Sequence, residues 1–226
     1  MLRQTLIRLS QEEHLRSFAM QNRLAQSFAL RFVAGETLDQ AINAVRSLNA
    51  RGMTATLDHL GENVSSREEA LEATNAAVRM IAEVVRAGVR CNVSLKLTQL
   101  GLDLGDSFAL DNMQRVLEQA DESELFVRID MESANYVDQT LDIFYRLFEQ
   151  RKNVGAVIQS CLYRSEMDLE RLIEAGARVR LVKGAYFEPP SVAFQAKSDV
   201  DSNYVRLMEI LLARGNYPAI ATHDAS

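Results

Sequence analysis

Proline is scarce in this sequence: Pro189, Pro190 and Pro218 are the only three in 226 residues. No Gly/Ser-rich or Pro-rich run accompanies them, so nothing reads as a linker and one structural domain is expected. Cysteine is scarcer still. Cys91 and Cys161 stand without a C-x-x-C or a nearby histidine pair, which excludes a disulfide framework and a zinc finger and leaves two small apolar residues expected in strands. No apolar run approaches the ~20 residues that cross a bilayer. The N-terminal stretch MLRQTLIRLSQEEHLRSF lacks the continuous apolar core of a signal peptide, so the expected location is the cytoplasm. The formal net charge is −6, without a long block of like charges, which excludes a nucleic-acid surface and a strongly basic membrane anchor.

What is present is a composition of 47% hydrophobic and 25% charged residues, enough for one large core. Two helices come first: Ser10 to Glu13 has the capping-box pattern before an amphipathic stretch to about Val33, and Thr37 to Gln40 opens another that ends before Gly52. These N-terminal helices, residues 1–52, are expected to pack on the domain formed by residues 53–226. There strands and helices alternate. The expected strands are TATLD (54–58), CNVSLKL (91–97), LFVRID (125–130), VGAVIQS (154–160), RVRLV (178–182) and YPAIATHD (217–224). Between them lie a helix capped by Ser65 to Glu68 and closed by Gly88, one around Leu110 to Ala120, one through Val137 and Phe148, one from Ser165 to Ala175, and one through Tyr204 ending at Gly215.

This rhythm implies a parallel sheet flanked by helices. There is no G-x-G-x-x-G turn, so the usual dinucleotide-binding doubly wound sheet lacks its phosphate loop, whereas a (β/α)8 TIM-type barrel needs none. Six units are present where a barrel has eight, so the barrel is expected to be incomplete.

The strand ends are polar, and a barrel assembles its active site from such ends. The first ends in Asp58 and His59, the second carries Lys96, the third Asp130 followed by Met131 and Glu132, the fourth Gln159, the fifth Arg180 and Lys183, and the sixth Thr222, His223 and Asp224. A polar strand end also arises where a chain leaves the core. Lys96 and Arg180 are harder to explain in that way, because a cation between buried apolar neighbours needs a partner. Arg178 is expected to pair at the barrel floor. Asp58, His59, Asp130, His223 and Asp224 could instead hold a metal, but neither H-x-H nor H-E-x-x-H occurs and three cations share the rim, so none is expected. His14 is expected on the surface.

The runs LDHLGENV (57–64), SLKLTQLGLD (94–103), RIDMES (128–133), RLVKGAY (180–186) and ATHD (221–224) resemble, in order, the flavin-dependent proline dehydrogenase family. The match is to its compact monofunctional bacterial form, and the same barrel occurs in bifunctional proline-utilisation proteins. The resemblance implies a distorted barrel holding FAD over its strand ends. It implies oxidation of L-proline to Δ1-pyrroline-5-carboxylate, with electrons passed to a quinone and a peripheral contact with the inner face of the cell membrane. It assigns Lys96 to the substrate carboxylate and Glu62 to a gate over the substrate pocket. Asp130 becomes an active-site aspartate and Arg180 the guanidinium near flavin N5. Met131, Gln159, Lys183, Gly184, Ala185, Thr222 and His223 become cofactor contacts, Gly184 by letting the backbone approach the flavin.

The family's last two strands and its final helix, with paired arginines and a tyrosine, have no counterpart here, so Glu62 is expected to lack its gate partner. Three readings stay open: a proline dehydrogenase, a noncatalytic flavin- or partner-binding partial barrel, and another FAD barrel such as a methylenetetrahydrofolate reductase. The connection FEPPSVAFQAKSD is read either as a solvated loop or as a cover over the cofactor.

Overall fold

The computed structural model describes residue 35 and residues 37–224. The expected first helix, with His14, lies outside the described residues. The chain divides into two compact units, residues 1–54 and 55–226. In the first, α1 (Leu38–Ala50) is capped by Thr37, whose hydroxyl accepts from the Gln40 amide at 3.4 Å, and it buries Ile42 and Val45.

In the second unit six parallel strands follow one another in space as in sequence, from β1 to β6. They are β1 (Ala55–Asp58), β2 (Cys91–Leu95), β3 (Val127–Ile129), β4 (Val154–Gln159), β5 (Arg178–Val182) and β6 (Asn216–Ile220). Between them run α2 (Arg67–Ala87), α3 (Asp106–Asp121), α4 (Val137–Gln150), α5 (Ser165–Glu174) and α6 (Lys197–Arg214). A doubly wound sheet reverses its strand order at a switch point. This order never reverses, so the sheet is the curled wall of a barrel, six strands long.

The helices start where their chemistry dictates. α2 carries a reciprocal capping box one residue later than expected, with the Ser66 hydroxyl accepting from the Glu69 amide and the Glu69 carboxylate accepting from the Ser66 amide at 3.2 Å each. Ser65 also donates to Glu69 from its amide and its hydroxyl. The helix ends at Gly88 in the left-handed region, φ 62.

Alternation then sorts side chains to the two faces. Val93, Leu95, Val127, Ile129, Val179 and Leu181 are almost wholly buried among the helices. Arg178 and Arg180 take the opposite face of β5, whose burial alternates residue by residue. β6 pairs with β5 through a register shift: Asn216 lies against Arg178, but Ala219 against Arg180. The extra residue places Tyr217 at φ 50 beside Pro218, which a bulged edge strand tolerates. The strand expectations need correction here, and the sixth strand, expected over 217–224, ends at Ile220, which leaves Thr222 and His223 beyond it. Cys161 lies in the turn beyond β4 rather than in a strand, and β2 stops at Leu95, so Lys96 stands just past the strand.

Candidate active site at the strand ends

Five of the six strand ends bring charged or amide side chains toward one another. Arg180 Nη1 donates to Asp130 Oδ1 at 2.8 Å, with both side chains about one-fifth exposed. The Asp130 amide in turn donates to the Leu95 carbonyl at 2.9 Å, which ties the end of β3 to β2. Lys96 Nζ faces Asp58 Oδ2 at 3.7 Å. Burial holds the Asp58 carboxyl above its ordinary range, against the pull of Lys96, and the neighbouring Asp130 pushes in the same direction as burial.

Gln159, 3% exposed, donates through Nε2 to the Glu132 carbonyl at 2.7 Å, and Met131 is 7% exposed beside Asp130. His59 is held by Gln99, whose Nε2 lies 3.1 Å from the ring Nδ1 and 2.9 Å from the His59 carbonyl. Among the described residues no group of three His, Cys, Asp or Glu could hold a metal ion.

The other predicted residues occupy the rim. Lys183 is shared by Asp201, at 2.6 Å, and Asp224, and Lys197 reaches the same two carboxylates. Thr222 and His223 are exposed at the end of β6, with the Thr222 hydroxyl accepting from the Asp224 amide at 3.0 Å. Ala185 is exposed beside Gly184. Gly184 has φ 110, and a Cβ there would sit 2.3 Å from Cys161 Sγ, so packing against the β4 turn already requires glycine.

Glu62 accepts the Tyr186 hydroxyl at Oε2 at 3.1 Å, a contact different from the arginine gate that the resemblance implies. That contact and the Glu62 and Glu132 charges push the Tyr186 phenol up, with burial the largest cause. The Arg178 guanidinium stacks over the rings of Phe126 and Tyr217, at 5.1 and 5.0 Å, and meets no carboxylate among the described residues.

The connection after β5 is folded onto the barrel. Leu162 and Ala193 form an antiparallel bridge, Tyr163 and Phe194 meet edge to face at 4.7 Å, and Glu188 accepts the Ala134 amide at 2.7 Å at the start of the turn leading into α4. It is therefore tethered at the β3 and β4 ends through Glu188, Ala193 and Phe194, while most of its residues are exposed to solvent.

Sequence reasoning missed the partners more than the residues. Asp58 and Tyr186 lie inside runs already singled out, but nothing local marks which cation or carboxylate each will meet. Arg128 was legible only as part of a motif, yet it is 4% exposed.

A parallel, singly wound barrel wall with convergent cations and carboxylates at the C-terminal ends of its strands is the arrangement on which barrel enzymes build their active sites. The proline dehydrogenase family matches residues 41–226. Proline dehydrogenase 2 of Bacillus subtilis (strain 168) is 40% identical over 208 residues, 90% of this chain and 69% of that protein. Proline dehydrogenase 1 of the same strain is 38% identical over 226 residues, 99% of this chain and 74% of that protein. Among solved structures, proline utilization A from Bdellovibrio bacteriovorus inactivated by N-propargylglycine superposes with a TM-score of 0.81 at 27% identity, over 88% of this chain and 26% of that one. The chain belongs to the proline dehydrogenase family, a family of flavoenzymes.

Proposed function

We propose that this chain oxidises L-proline to Δ1-pyrroline-5-carboxylate with FAD as cofactor and a quinone as electron acceptor, the first step of proline catabolism. The observation that carries the reading is the Arg180–Asp130 pair beside Lys96 and Asp58, on matched family motifs at the ends of parallel strands.

The residues present suit a flavin. Gln159 offers an amide at the end of β4, and Arg180 a fixed guanidinium that can meet negative charge on the cofactor. Met131, Gln159, Lys183, Gly184, Ala185, Thr222 and His223 are the residues that would hold it. When bound, the flavin supplies hydride acceptance from C5 of proline.

The chain's own residues supply the rest. Asp130 holds Arg180 in one orientation, and a guanidinium has five N–H donors, so further donors remain to meet negative charge that builds up beside it. Lys96 pairs with Asp58 at a distance longer than a hydrogen bond, which leaves its ammonium able to take a substrate carboxylate. Glu62 and Tyr186 close one side of the pocket. Among the described residues no helix is long and apolar enough to cross a membrane.

The test is a visible spectrum of the purified chain with FAD before and after anaerobic addition of L-proline. Bleaching of the flavin band is expected in the unmutated protein, and Arg180→Met should slow it more than it weakens proline binding. A band that persists with proline bound would defeat the reading.

A further inference from the structure

The most deeply buried carboxylate at the rim has no part in the constellation above. Glu132 is 1% exposed, and both of its oxygens are engaged by one residue: the Thr98 amide donates to Oε1 at 3.1 Å and the Thr98 hydroxyl donates to Oε2. A hydroxyl has one proton and two lone pairs. With its proton committed to Glu132, Thr98 Oγ1 is left as an acceptor, and it takes the Asn63 amide at 3.0 Å.

That bond matters because of what surrounds it. Among the described residues it is the one backbone hydrogen bond made by residues 60–64, the connection after β1 that carries Glu62. Asn63 itself is held at φ 54, in the left-handed region that a non-glycine residue seldom enters unaided. Next to it, Glu62 receives the Tyr186 hydroxyl from the far side of the site. The Glu132 carbonyl meanwhile takes Gln159 Nε2 at 2.7 Å. One buried residue thus links the end of β3 to the turn after β2, the connection after β1 and the end of β4. Burial alone would favour an apolar side chain here, and among the described residues no salt bridge engages Glu132, Lys96 acting on it only from a distance.

We propose that Glu132 is a positioning residue for the substrate pocket, acting through Thr98 and Asn63 to set Glu62 against Tyr186. The inference rests on the reading of this rim as a proline site. It assigns no contact with substrate to Glu132 or Thr98.

The experiment has two arms on the full chain. The first reads amide hydrogen exchange at Asn63 without ligand in the wild type, Thr98→Val, Thr98→Ser and Glu132→Gln. Thr98→Val removes the acceptor and should speed exchange about tenfold, the range of one net hydrogen bond, while Thr98→Ser restores protection. Glu132→Gln turns the relay around, because its amide would donate to Thr98, and should speed exchange by a smaller factor. It also carries this arm if Thr98→Val does not fold. The second arm reads KM and kcat for proline: Thr98→Val should raise KM by roughly tenfold and lower kcat far less, Glu132→Gln should raise KM by less, and Thr98→Ser should leave it close to wild type. Unchanged exchange at Asn63, failure of Thr98→Ser to rescue, or equal losses in KM and kcat would overturn the proposal. A wild-type chain without proline turnover defeats the functional reading instead, and with it the substrate role, while the exchange arm still decides whether Glu132 sets the Glu62 connection.

Discussion

Arg128 occupies the middle of a three-residue strand at 4% exposure, with Nε and Nη1 lacking any hydrogen-bond partner. Burial and the nearby Arg180 and Arg178 pull its guanidinium down to about 10, with Asp130 opposing them. Among the described residues its guanidinium also lies over the Phe126 ring at 5.1 Å, shared with Arg178 on the same ring. Unsatisfied buried donors cost about 1–3 kcal/mol, so Arg128→Met, which keeps the length and loses the charge, should raise the melting temperature by several degrees, whereas Arg128→Lys should not. A lower melting temperature for the methionine variant would mean that a bound anion holds this arginine. Cys91 gives a second residue-scale outcome. Burial lifts its thiol from 9.0 to about 11. A thiol raised in the folded state favours the protonated form, so its contribution to stability is complete below pH 9 and is lost as pH rises through 11. Iodoacetamide should therefore modify Cys91 slowly at pH 8 and faster toward pH 11, and the difference in melting temperature between wild type and Cys91→Ala should change sense only across that window. Rapid modification at pH 8 would contradict the burial.

At the scale of elements, the most self-contained start belongs to α2. Ser66 and Glu69 satisfy each other's amides, and the hydrogen bonds from Ser65 and Ser66 hold the Glu69 carboxyl below its ordinary range. Ser66→Ala should cost about 1 kcal/mol of stability, read as a shift in the denaturant midpoint without a change in slope. Ser65→Ala should cost less, since the cap belongs to its neighbour. A larger loss for Ser65 would restore the register read from sequence. That one-residue error is informative: Ser65 and Ser66 are followed three residues later by Glu68 and Glu69, so two boxes overlap, and only backbone geometry chooses between them. The elements themselves were legible because each is bounded by a local signal, such as the glycine at 88 or the periodicity of Val137, Leu141, Phe144 and Phe148. Strand ends were less so. CNVSLKL continues its alternation past Leu95, but the turn that seats Thr98 beneath Glu132 begins there, and a contact 34 residues away is invisible to a local pattern.

For the whole molecule, the same limit applies to the site. Its residue types could be read from strand ends and motifs, but its pairings could not: Glu62 meets Tyr186 across 124 residues, and Lys183 is drawn to Asp201 and Asp224 at the rim. One collective property does follow once the sheet is assembled. Lys96, Arg128, Arg178 and Arg180 lie on or just beyond the strand face that carries Asp58 and Asp130, so four cations oppose two carboxylates in a chain whose net charge is −6. The excess is local and of opposite sign to the molecule, which concentrates its field on whatever occupies that face. The proposed cofactor carries a pyrophosphate, while riboflavin presents the same ring system without charge. FAD affinity, followed by quenching of flavin fluorescence, should therefore fall several-fold as salt rises from about 0.05 to about 0.5 M, because the Debye length shrinks from roughly 14 to roughly 4 Å over that range. Riboflavin affinity should change much less, and Arg180→Met should flatten the FAD dependence without abolishing it, since three cations remain. Parallel salt curves for the two flavins would place the binding energy in the ring contacts at Gln159 and Met131 and would deny the sheet face any electrostatic part in cofactor capture.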